Sequence, residues 1–80
     1  IVQGLGPVAV GDIQKTVGRN LRAYRIERDL SQEVFAEVLG VHRTYMGGVE
    51  RGERDLTLKS MERMAEKLEM EVLELMKPHK

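Results

Sequence analysis

QEVFAEVLGVHRTYMGGVER, residues Gln32 to Arg51, decides how the rest of the chain is read. Phe35 and Leu39 fall four apart, and Val34 and Val38 extend that apolar face behind a Ser31 suited to capping a helix N-terminus. Gly40 follows, the residue type that ends a helix by taking a left-handed conformation. A second short helix then starts near His42 and carries Met46 and Val49 inward, and Gly52 stops it. Ala36 sits where two such helices cross closely, and Val41 completes the shared apolar set. The pattern predicts two short helices joined by a tight glycine turn.

Working outward, Asp12 is a candidate cap for a long first helix running to about Arg28, with Ile13, Val17, Leu21 and Tyr24 as its apolar stripe. Asp29-Leu30 breaks it. Glu53 to Leu56 reads as a loop, and Thr57 caps a fourth helix with Leu58, Met61, Met64, Ala65 and Leu68 inward. A fifth short helix holds Val72, Leu73, Leu75 and Met76, and Pro78 closes the ordered chain. No alternation of period two marks a strand, so the expected class is all-α with five helices in one domain over 12–77. Residues 1–11, IVQGLGPVAVG, carry no charge and read as a flexible arm or an expression remnant, and 78–80 as a tail.

Composition narrows the function. The chain has 80 residues, 41% hydrophobic and 32% charged, so it is one core-forming domain and too apolar to be disordered. It has no cysteine, which excludes disulfides and thiolate metal sites, and its two isolated histidines make no metal centre. No cofactor or small-molecule ligand is indicated. No apolar run is long enough to span a membrane, and no secretory signal opens the sequence, so a cytoplasmic location is expected. No nucleophile–base pair or phosphate loop supports an enzyme. Thirteen basic residues balance thirteen acidic ones, which predicts weak non-specific attraction to a polyanion from one subunit.

Two helices with this turn are the helix-turn-helix motif. The run LRAYRIERDLSQEVFAEVLGVHRTYMGGVERGERDLTL, residues 21–58, resembles the lambda-repressor-like (XRE-type) regulators. The pattern RTYxxGxERxxRxLTLKS, Arg43 to Ser60, is most similar to the controller proteins of restriction–modification systems. The resemblance implies a bacterial transcriptional regulator of double-stranded DNA, with the third helix in the major groove. It assigns Gln32 to a phosphate, His42, Arg43 and Thr44 to base edges, Tyr45 to the backbone near them, and Arg51 and Arg54 to phosphates or the groove edge. It also implies an Arg25–Glu50 ion pair. Gly47 and Gly48 belong to the same surface. They either shift readout onto Arg43, Thr44 and His42 or allow close approach of the helix backbone to DNA. His42 has a second reading, as a helix cap.

Arg19, Arg22, Arg25 and Arg28 drift around the first helix and read as a solvated face paired to Glu27 and Asp29, or as phosphate contacts from Arg19 or Arg22. Met70, Val72, Leu73, Leu75 and Met76 crowd apolar groups into the last turns. They complete the core or, as the family also implies, form a homodimer interface. Two function classes result: a homodimeric DNA-binding regulator on a pseudo-palindromic operator, and a protein-interaction module that reuses the fold.

Overall fold

The computed structural model describes residues 10–78, with side chains from Asp12 onward. Five helices follow one another: α1 Val10–Glu27, α2 Gln32–Leu39, α3 Arg43–Glu50, α4 Leu58–Lys67 and α5 Val72–Met76. There is no strand among the described residues. α1 packs on α3 and α5, α2 on α3 and α4, and α4 on α5. The fully buried side chains Val17, Leu21, Phe35, Met46, Val49 and Leu75 come from α1, α2, α3 and α5, so one core joins the long helix to both short ones. Tyr24 stacks on Phe35 with ring centroids 5.8 Å apart.

Local chemistry sets the helix ends. Ser31 and Thr57 each accept from a backbone amide of the first turn, Val34 N and Ser60 N, as their positions predict. Four helices stop in one way. Asp29, Gly40, Gly52 and Glu69 take φ of 60°, 72°, 73° and 56°. The next amide then reaches back to a carbonyl five residues earlier: Leu30 to Arg25, Val41 to Ala36, Glu53 to Gly48, Met70 to Ala65. α5 is too short to stabilise itself. The Asn20 side chain on α1 donates to the carbonyls of Leu75 and Lys77, both at 2.7 Å, and so closes its C-terminus.

Several expectations are corrected. α1 begins at Val10, so Asp12 is not its cap but an acid in its first turn, where it favours the helix dipole. Of the expected arm, residues 1–9 lie outside the described residues, as does His79. Val34 and Val38 are 44% and 43% exposed, and Leu58 is 58% exposed. α2 buries Phe35, Ala36 and Leu39 against the body, and its outer valines stay in solvent. Leu75 is 2% exposed and belongs to the core of this chain, which leaves it no surface for a partner.

Gly18 fixes how closely α1 crosses α3. A Cβ there would collide with the backbone oxygens of Val49 and Glu50. Gly18→Ala gains about 0.5–1 kcal/mol of helix propensity. It must also move a packed backbone, at about 1–3 kcal/mol. The clash wins: the variant is expected to unfold at lower urea concentration than the parent, whereas an unchanged or higher midpoint would show that the crossing is loose.

Candidate nucleic-acid interface

The site grows from a buried carboxylate at the end of α3. The Glu50 side chain is 2% exposed. It accepts from Arg25 Nε at 2.8 Å, Arg25 Nη2 at 3.0 Å and Gln32 Nε2 at 3.1 Å. Arg25 Nη1 also donates to the Leu30 carbonyl at 3.0 Å. This node ties α1, its C-terminal turn, α2 and α3 together. Its fork geometry is the bidentate one that guanidinium and carboxylate share. The hydrogen bond to Glu50 raises the Arg25 pKa above the usual arginine value, against the opposing effect of burial. The proton on Arg25 therefore contributes stability at every pH below that usual value and loses it only above. The ion pair implied by the sequence is present.

Gln32 is half-buried, and one hydrogen of its amide goes to Glu50; the amide carries a second. His42 is the N-cap of α3: its Nδ1 accepts from Thr44 N at 3.2 Å. An accepting Nδ1 puts the ring hydrogen on Nε2, so the capped ring still offers one donor. Arg43 and Thr44 are exposed at the start of α3. With Gln32, Gly47 and Arg51 they line a polar groove of about 200 Å³. Tyr45 is half-buried against the core, and the Arg54 guanidinium lies 5.5 Å from its ring centroid.

Gly47 and Gly48 are not bare helix surface. A Cβ on Gly47 would sit 3.2 Å from Arg51 Nη1 and 3.5 Å from Gln32 Oε1. One on Gly48 would sit 2.9 Å from Arg54 Cγ. Two arginines thus lie back over the two glycines and bury them. Arg51 Nε in turn donates to Glu53 at 2.9 Å, and Gln14 on α1 donates to Asp55 at 3.0 Å. Glu53, which holds Arg51, lies in a segment that reads as loop and is not announced there as a site residue. The alternation of acid and base from Glu50 to Asp55 is the signal that could have found Glu53.

The remaining assignments separate. Arg28 lies 3.5 Å over the Tyr24 ring and 4.0 Å from Glu27, while Arg19 and Arg22 are exposed on α1. Of the apolar C-terminal set, Met70, Val72 and Met76 are partly buried against the core and Leu73 is 69% exposed.

Removing one partner of the Glu50 node tests its place in the fold. Arg25→Met leaves the carboxylate buried with Gln32 alone, at a cost of about 3–5 kcal/mol. Arg25→Met combined with Glu50→Leu is expected to recover much of that loss in urea unfolding. Strict additivity of the two changes would mean that the pair is not a unit.

The helix-turn-helix family pattern matches residues 21–75. The control protein C.SmaI of Serratia marcescens is 45% identical over 65 residues, which span 81% of this chain and 77% of that protein. Among solved structures, the restriction–modification controller protein C.AhdI of Aeromonas hydrophila superposes with a TM-score of 0.68 at 40% identity, over 78% of this chain and 94% of that one. The hypothetical transcription factor NHTF from Neisseria superposes with a TM-score of 0.76 at 31% identity, over 90% and 86%. A bidentate buried node, a capped α3 and a polar groove beside it thus occur on a chain that belongs to the helix-turn-helix family of DNA-binding transcription regulators.

Proposed function

We propose that the chain is a sequence-specific regulator that binds double-stranded DNA as a homodimer on a pseudo-palindromic operator, its own promoter among its targets. The observation that carries this is the convergence of Gln32, Arg43, Thr44 and Arg51 on one groove beside the N-terminal half of α3. α3 enters the major groove with Arg43 as its leading reader, since a guanidinium bonds guanine O6 and N7 together. Gln32 and Arg54 hold phosphates, and Thr44, Tyr45 and the His42 Nε2–H lie at the groove edge. The similarity to control proteins supports the regulatory role. The protein acts in the bacterial cytoplasm, on the nucleoid when bound to DNA.

The dimer rests on α5. Leu73, 69% exposed, is the anchor, and Met70, Val72 and Met76 frame it with partly exposed surface. Two copies then present their α3 helices about 34 Å apart, one turn of DNA. Zero net charge limits how tightly one copy holds DNA, and a second copy doubles the phosphate contacts.

Binding to upstream promoter duplex and to a scrambled control, each at two salt concentrations, tests the reading. Specific, salt-weakened binding by two subunits is expected, with Arg43→Ala losing about 1–3 kcal/mol on the specific site. Equal weak binding to both duplexes would point to a protein partner instead. Leu73→Glu is expected to give a monomer in light scattering while its helix content is kept, and a dimer that survives the change would place the interface elsewhere.

A further inference from the structure

We propose that Arg51 is a second base reader, placed by Gly47 and held by Glu53; this rests on the reading of α3 as the major-groove helix. Arg43, Gly47 and Arg51 fall at i, i+4 and i+8, so they share one face of α3 and its end. The middle position has no side chain. The Arg51 guanidinium folds back about one helical turn, 5.4 Å, to cover it. Its Nη1 lies 3.2 Å from where a Gly47 Cβ would stand, in the groove that also holds Arg43, Gln32 and Thr44. A Cβ at 47 would already force the guanidinium to give way, and a larger side chain would displace it further.

Glu53 decides which donors remain. It takes Nε of Arg51 at 2.9 Å. Nη1 and Nη2 are left as the parallel pair that guanine O6 and N7 accept. The same carboxylate offsets part of the charge of Arg51 across an exposed pair, which weakens it as a phosphate clamp but leaves its directional donors. A cation kept only for phosphate gains nothing from such a partner. Glu53 and Gly47 are therefore positioning residues, and Arg51 does the reading.

Site selection from a library of random duplexes, followed by salt-dependent affinities on the selected site and its single-base-pair variants, tests this. Arg51→Lys keeps the charge and removes the fork. It is expected to lose about tenfold discrimination at one G·C pair, a different pair from the one lost in Arg43→Ala, with its salt slope unchanged. Gly47→Ser is expected to relax the same pair. Glu53→Gln is expected to relax it too while tightening binding to all duplexes. Arg51 and Glu53 are exposed, so thermal unfolding of Arg51→Lys and Glu53→Gln stays near the parent value. The assignment is overturned if Arg51→Lys discriminates as the parent does. It is also overturned if Arg51→Ala weakens every duplex equally and lowers the salt slope by about one, the signature of a phosphate contact. A parent protein that enriches no sequence overturns the reader roles of Arg43 and Arg51 alike.

Discussion

The carboxylate of Glu50, taken out of water at the end of α3, holds the interface in place. Its burial has a cost that a bidentate guanidinium and an amide offset, and the balance against an apolar replacement is small. Its value is registry. Arg25 comes from α1, Gln32 from the first residue of α2, and Glu50 from the last of α3. Satisfying all three at once permits one arrangement of the two short helices on the long one. Gly18 acts beside it, letting α1 reach the backbone oxygens of Val49 and Glu50.

From that node the outward face follows. The residue that anchors α2 to Glu50 also lines the groove with Arg43. The residue after Glu50 is Arg51, which the end of α3 turns back over Gly47. Gln32 thus belongs to both the core interaction and the surface it organises, and Arg51 is the next residue in the chain after Glu50. Strain or slack at the node would be felt at the reading face.

Much of this was legible in the residues. Ser31, Gly40 and Thr57 marked their helix ends because capping is local chemistry, and Phe35, Met46 and Val49 fell inward because periodicity is local as well. Asp12 misled, since an acid suits both a cap and a first turn. Val34, Val38 and Leu58 misled because an apolar residue on a short helix can face solvent when no neighbour covers that edge. The Asn20 cap on α5, the Gly18 crossing and the arginines over Gly47 and Gly48 join residues that only the folded chain brings together, and no spacing rule announces them. The exposed Leu73 beside the buried Leu75 shows the same limit: two leucines two residues apart, sorted by tertiary packing alone.

The most direct measurement is a backbone amide titration of the protein with its promoter duplex, read residue by residue in solution. If α3 is the reading helix, the shifts concentrate at Ser31–Gln32, at His42–Gly47 and at Arg51–Asp55. Shifts that instead gather on the outer face of α1, from Arg19 to Ile26, with α3 unmoved, would contradict the account.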